Sequence, residues 1–211
     1  GKYHLLKRKP QLIPLAHKQL FNPVFGYGAF LPLMKRLGVM EASVENASKL
    51  LNAGYAVQVY PGGDLDAFRP FAKRNQVVFG GRQGYVRLAL RTGRPLLPVA
   101  SIGGSETNII LSDGSRLAKA LGLNKWLKVQ VAPLSWSFPN GFSFGLPKLH
   151  FPLPAQISMC VLPPVYTHDY DPKDADRPEV VAAIDQQIRT QLQRKMDQMA
   201  KGRIPIIGKI R

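Results

Sequence analysis

Apolar residues recur along the chain at two different periods. Over residues 43–54, Val44, Ala47, Leu50 and Leu51 repeat at helical spacing, with Ser43 as a capping residue before them and Gly54 as a stop after them. Residues 55–60 then change to a short run with Ala56, Val57 and Val59, which reads as a largely buried strand ended by Pro61, Gly62 and Gly63. Residues 82–91 return to helical spacing, with Val86, Ala89 and Leu90 on one face and Gly93 as terminator, before a second apolar strand over residues 95–102. Helix, strand, helix, strand predicts an α/β fold: a central, mostly parallel or mixed sheet flanked by helices.

The flanks of this pattern are less regular. Residues 12–14 form a brief apolar stretch, and residues 20–32 mix Phe21, Phe25, Tyr27 and Phe30 with Pro and Gly as a loop-rich apolar segment. Further on, residues 114–121 read as a short helix, and residues 126–132 and 155–162 as strands. Between those strands, residues 133–154 carry Trp136, Phe138, Phe142, Phe144 and Phe151 among Pro and Gly, which suggests loops. Aromatics so placed are either wedges into the core or an interfacial rim, and both readings stand. Residues 169–178 are an acidic, Pro-containing linker. After it, Val181, Ile184, Ile188, Leu192, Met196 and Met199 recur every three or four residues, as in an amphipathic helix packed against the domain. No internal repeat is evident, so the expected organisation is one α/β domain over residues 1–168, the linker, and a helix with a basic tail over residues 179–211 packed on that domain.

Charge narrows the partners. Lys and Arg number 29 against 13 Asp and Glu in 211 residues, a formal charge of +16, and Cys160 is the single cysteine. That excludes a disulfide scaffold and makes an anionic surface, membrane or nucleic acid, the natural partner class. The basic residues are spread over many elements, as a broad basic face requires, without the recognition helix or aromatic-bearing strands of a nucleic-acid reader; this disfavours nucleic acid. No run of 18 apolar residues occurs within the chain.

Candidate chemistry centres on the loop after the strand of residues 55–60, because open α/β sheets build sites at the carboxyl edges of their strands. Tyr60, Pro61, Gly62, Gly63, Asp64, Asp66 and Arg69 lie there: the glycines permit close backbone approach, the carboxylates supply charge or a base, and Arg69 can grip an anion. A Gly-Gly-Asp sequence is also commonly only a turn. No Gly-Lys-Ser/Thr follows, so it is not a nucleotide phosphate loop, and no Gly-x-Ser-x-Gly elbow is present. His4, His17, His150 and His168 have no metal-ligand spacing, so neither a metal nor another cofactor is expected.

Taken in order, several segments resemble the glycerophospholipid acyltransferase superfamily, in the branch similar to diacylglycerol acyltransferases and their bacterial relatives. They are Leu15-Ala16-His17-Lys18, Phe21-Asn22-Pro23, Leu37-Gly38-Val39, the stretch from Ala42 to Gly54, Val59-Tyr60-Pro61-Gly62-Gly63, Gly84 to Leu90, Pro95-Leu96-Leu97-Pro98-Val99, and Leu153 to Ile157. The resemblance implies transfer of a fatty acyl group from acyl-CoA or an acyl carrier to a lipid hydroxyl, with the protein membrane-associated on the cytoplasmic side of an anionic surface. It also implies that Pro95 and Pro98 shape the substrate pocket together with the residues of the turn. Trp136, Phe138, Phe142 and Phe144 are the expected membrane contacts.

Two departures qualify it. The superfamily's His and Asp, separated by four residues, activate the acceptor hydroxyl; here His17 is followed at the fifth place by Asn22, and no catalytic residue is assigned within the chain. Family order places the pair before the Leu15 segment, so it is expected upstream of Gly1, together with any membrane anchor, and a chain that begins with Gly rather than Met fits that expectation. The glycerol-phosphate members also carry Glu-Gly-Thr-Arg where this sequence has Gly62, Gly63, Asp64 and Leu65. That disfavours lysophosphatidate as acceptor and sets Asp66 beside the acidic residue that follows Pro-Gly-Gly in the diacylglycerol-type branch. The competing class is a non-enzymatic, basic lipid-binding or nucleic-acid-binding module.

Overall fold

A computed structural model describes residues 11–17, 21, 31–114, 133–137, 139, 141–144 and 151–209. The elements in chain order are β1 (Leu12–Ala16), α1 (Leu31–Arg36), β2 (Met40–Glu41), α2 (Val44–Asn52), β3 (Ala56–Gln58), α3 (Gly63–Ala67) and α4 (Gly84–Thr92). They continue with β4 (Val99–Ile102), β5 (Ile109–Ser112), β6 (Leu134–Ser137), β7 (Gly141–Phe144), β8 (Ser158–Val161) and α5 (Pro178–Ala200). The expected helix over residues 114–121 and strand over residues 126–132 lie outside the described residues, Gly114 excepted. The chain is an α/β protein with parallel and antiparallel sheets accompanied by helices. Its backbone gathers into two compact units.

The first unit draws on Gly1–Pro61, Gln83–Pro95 and Tyr166–Val181. Its sheet has the order β2-β1-β3, parallel throughout. The apolar stretch at residues 12–14 is therefore the start of the middle strand, despite Pro14. The Gln11 carbonyl accepts from the Ala56 amide on the β3 side at 3.1 Å, and the Ala16 carbonyl accepts from Ala42 beyond β2 at 2.8 Å. Backbone groups alternate sides along a strand, so Pro14 faces β2, whose pairing begins only at Leu15 opposite Met40. The missing N–H thus costs no ladder bond.

Helix α2 is capped as its sequence predicts, with Ser43 Oγ accepting from the Asn46 amide at 3.0 Å. Ile13, Leu15 and Ala47 form the buried centre of this unit, and Leu50, Val57, Val59 and Leu88 pack against it. Val86, Ala89 and Leu90 of α4 are buried, the face read from their spacing. The buried Thr167 hydroxyl donates to the carbonyls of Ala89 and Arg94, at 3.2 and 3.0 Å, which ties the segment after β8 to the end of α4. Within the acidic segment, Pro172–Asp176 winds into a 3-10 turn with a reciprocal Asp171/Asp174 capping box and a buried Ala175. Helix α1 starts at the end of the loop-rich segment of residues 20–32 and runs beyond it.

The second unit draws on Gly62–Arg82, Leu96–Val165 and Ala182–Arg211. Strands β4 and β8 pair antiparallel, and β5, β6 and β7 form an antiparallel meander. The loop reading of residues 133–154 is corrected here, because residues 134–144 contain a β-hairpin. Trp136 stands opposite Phe142, and Ser135 opposite Ser143. Its two faces differ: Ser135 and Ser137 are buried, whereas Leu134 and Phe142 are exposed. On α5, Ile184, Ile188, Leu192 and Met196 are buried as their three- and four-residue spacing predicts. The helix also stitches down residues 75–77: Gln193 accepts from the Val77 amide at 2.9 Å and donates to the Asn75 carbonyl at 3.0 Å.

Candidate functional site

The Gly62-Gly63-Asp64 turn opens the second unit, and packing demands both glycines. A Cβ on the buried Gly62 would run into the Val78 carbonyl oxygen and the Asp66 side chain. Gly63 has φ +53°, and a Cβ there would meet the Arg82 guanidinium. Arg82 closes the turn from above the glycine: Nη1 donates to the Gly62 carbonyl at 2.7 Å, and Nη2 to Asp64 Oδ1 at 2.5 Å. The planar fork of arginine suits this paired contact, which lysine cannot reproduce. In the sequence Arg82 is one of 29 Lys and Arg residues, with nothing local to tie it to the turn.

Helix α3 then carries Asp66 towards Arg69. The two form an ion pair of 3.0 Å, and Arg69, only 8% exposed, also donates to the Gln76 carbonyl and, at 2.9 Å, to Ser105 Oγ. Its Nε is buried with no hydrogen-bond partner among the described residues. Burial is the main influence on both charges. It pushes the Asp66 carboxyl up, opposed by Arg69, and pushes Arg69 down, opposed by Asp66. An arginine so engaged positions Asp66 and the Ser105 turn, and an anionic ligand would have to compete with three existing partners for it.

Next to Ser105, Glu106 is 1% exposed and is the centre of a buried charge cluster. Arg203 Nη2 approaches Glu106 Oε2 at 2.8 Å, the Ile206 amide donates to the same oxygen at 2.7 Å, and Arg74 Nε lies 3.7 Å from Oε1. Burial alone would raise this carboxyl. The bonds from Arg203 and Ile206, with the charges of Arg203 and Arg74, outweigh it and hold Glu106 below the ordinary glutamate range. Arg74 also lies over the Phe71 ring, 4.6 Å from its centroid. An open groove of about 520 Å³ is lined by Lys73, Arg74, Asn75, Gln193 and Asp197 among others. The signal for Glu106 was present in the sequence: it is the one charged residue between Pro95 and Ser112.

The remaining candidates are more scattered. In the first unit Tyr60 is exposed, its hydroxyl accepting from Gln58 Nε2 at 2.6 Å, Pro61 is half-buried and Pro95 exposed. In the second, Pro98 is buried, Trp136 is half-buried and Phe142 is 73% exposed. Phe144 occupies the β7 position opposite Leu134, and Phe138 lies outside the described residues, as do His4 and His150. Among the described residues no three His, Cys, Asp or Glu side chains are grouped to hold a metal, and no helix is long and apolar enough to cross a membrane.

Comparison with known families decides the lineage. Residues 20–133, more than half of the chain and including the turn and α3, match the diacylglycerol acyltransferase family. The chain belongs to that family. An uncharacterized protein of Mycobacterium tuberculosis is 31% identical over 190 residues, covering 90% of this chain and 49% of that protein. Diacylglycerol O-acyltransferase 2 of Homo sapiens is 31% identical over 83 residues, 37% of this chain and 21% of that protein. Phytyl ester synthase 1, chloroplastic, of Arabidopsis thaliana is 25% identical over 118 residues, 54% of this chain and 16% of that protein. This family member thus spans about half the length of the mycobacterial relatives it matches. No solved structure matches it.

Proposed function

We propose that this protein is part of an acyltransferase that works at an anionic membrane surface and moves a fatty acyl group from acyl-CoA, or from an acyl carrier, to a lipid hydroxyl. The observation that carries the reading is the family match across the Gly62-Gly63 turn, whose two glycines the surrounding packing requires. In the reaction the acceptor oxygen forms a bond to the thioester carbonyl carbon, the carbon–sulfur bond breaks, and the acceptor proton leaves with the thiol. The contribution of this chain is acceptor and donor binding by the segment from Gly62 to Arg69, within the second unit.

Arg82 holds the turn in shape and Arg69 holds Asp66, so that carboxylate is the acidic group set against the acceptor. Lys73 and Arg74 bring two positive charges to the groove beside α5, where the phosphates of a CoA donor would find them. The exposed Phe142 and half-buried Trp136, paired across the hairpin, are the aromatic membrane contacts, with the Phe144 position beside them. The overall +16 charge supports an anionic lipid partner.

The test is acyl transfer by the full-length gene product, with labelled acyl-CoA and diacylglycerol, glycolipid and long-chain alcohol acceptors on phosphatidylglycerol-containing vesicles. Turnover that falls at least about tenfold in Gly63→Ala supports the reading. No transfer to any acceptor refutes it in favour of a binding module.

A further inference from the structure

We propose that the solvent side of the β4–β8 ribbon, with the cationic loop docked at its end, is a second docking face for anionic lipid bilayers. The inference goes beyond the aromatic hairpin and rests on the proposed membrane function for its meaning, though not for its test. In the antiparallel register Val99 stands opposite Val161 and Ser101 opposite Met159. Side chains alternate across the sheet, so Leu97, Val99, Ile157, Met159 and Val161 share one face, while Ala100 and Ile102 are buried on the other. Those five residues are between 41% and 64% exposed. Both strands are also free of charge for longer than the pairing requires: no Asp, Glu, Lys or Arg occurs over residues 95–104 or 151–167. A two-stranded ribbon with apolar groups on both sides has one side too many for a single core.

What lies at the end of the ribbon identifies the partner. Gln156, immediately before Ile157, donates from its amide to the Ile206 carbonyl at 3.0 Å and accepts at its side chain from the Lys209 amide at 3.1 Å and Arg203 Nη1 at 3.2 Å. These bonds fasten the loop of residues 203–209 beside the ribbon, with Ile204, Ile207 and Lys209 exposed in it and Lys201 exposed just before it. Ile206 is held at φ +70°, a conformation unfavourable for a β-branched residue, and its amide is spent on Glu106. An uncharged apolar strip next to exposed isoleucines and lysines matches a bilayer boundary: hydrocarbon for the strip and anionic headgroups for the lysines. A second copy of the chain would bring the same lysines and the same +16 charge, which opposes self-association through this face.

Oxidation of the native methionines tests this in the unaltered full-length gene product. Hydrogen peroxide converts exposed thioethers to sulfoxides, so Met159 should oxidise at least about fivefold more slowly on vesicles containing phosphatidylglycerol than in buffer. Met40, in the other unit, serves as comparator and should change little. Met159→Thr/Val161→Thr, which puts strand-favouring β-branched residues at both exposed positions, should lower partition onto these vesicles roughly tenfold, and Lys201→Gln/Lys209→Gln by a similar factor. Equal oxidation of Met159 with and without vesicles, equal protection of Met40, or protection that depends on protein concentration without lipid would each overturn the proposal. Met159 protection in a full-length gene product that transfers no acyl group would refute the enzyme and leave the docking face standing.

Discussion

Replacing Glu106 with Gln removes one charge from a carboxylate that is 1% exposed and leaves Arg203, 3% exposed, and Arg74 without their shared anion. Breaking a buried pair by removing one partner costs about 3–5 kcal/mol, because the surviving charge remains buried and uncompensated. The Ile206 amide also exchanges a carboxylate acceptor for a neutral amide oxygen. For a chain of this size each kcal/mol moves the midpoint about 2–4 °C, so thermal unfolding followed by circular dichroism should fall by roughly 6–20 °C. Amide exchange at Ile206 should accelerate more than exchange in α4. Adding Arg203→Met should recover part of the loss, since the two side chains act as one unit. The pH dependence has a fixed sign: a carboxyl held below its ordinary value stabilises the fold above that value and loses the contribution as pH falls through the lower one. The gap between wild type and Glu106→Gln should therefore start to narrow below about pH 4.3 and close as pH falls through the lower value. A loss under about 1 kcal/mol at pH 7, or a double variant worse than the sum of its parts, would sink the argument that Glu106 is a paired buried charge.

Other outcomes follow from the same contacts. Gly63→Ala should cost about 1–3 kcal/mol, measured by urea unfolding, since it combines a positive φ with the Arg82 approach. Arg82→Lys should retain the charge near Asp64 but lose the paired contact, lowering stability by about 1 kcal/mol in the same titration. Leu90→Ala, at a fully buried position of α4, should cost about 2–5 kcal/mol, seen as a lower denaturation midpoint. Phe142→Ser should leave the melting temperature nearly unchanged while reducing sedimentation with anionic vesicles.

Much of the first unit was legible because its signals are local. Ser43 caps α2, Gly93 ends α4 in the left-handed region, and Val86, Ala89 and Leu90 mark a face whose burial follows directly from the helical period. The hairpin is hard to read because the density of Pro and Gly in residues 133–154 outweighs the alternation of Leu134, Ser135, Trp136 and Ser137, although Asn140-Gly141 is a strong turn signal. In the site, the two glycines were readable from composition. Arg82, Ser105 and Arg203 were not, because their partners stand 18, 36 and 97 residues away in the chain. No spacing rule reaches that far; only the isolation of Glu106 in an uncharged stretch hinted that a buried countercharge was needed.

Pro14 has a use beyond being tolerated. A parallel edge strand as short as β2 holds its place by few bonds, and a neighbour that could slide along β1 would have several nearly equal positions available. Sliding towards the start of β1 would set β2 against the one backbone position on that side that has no hydrogen to give. The imino acid therefore acts as an end-stop, letting a strand of two residues have a defined register and so fixing where the loop before α2 must begin.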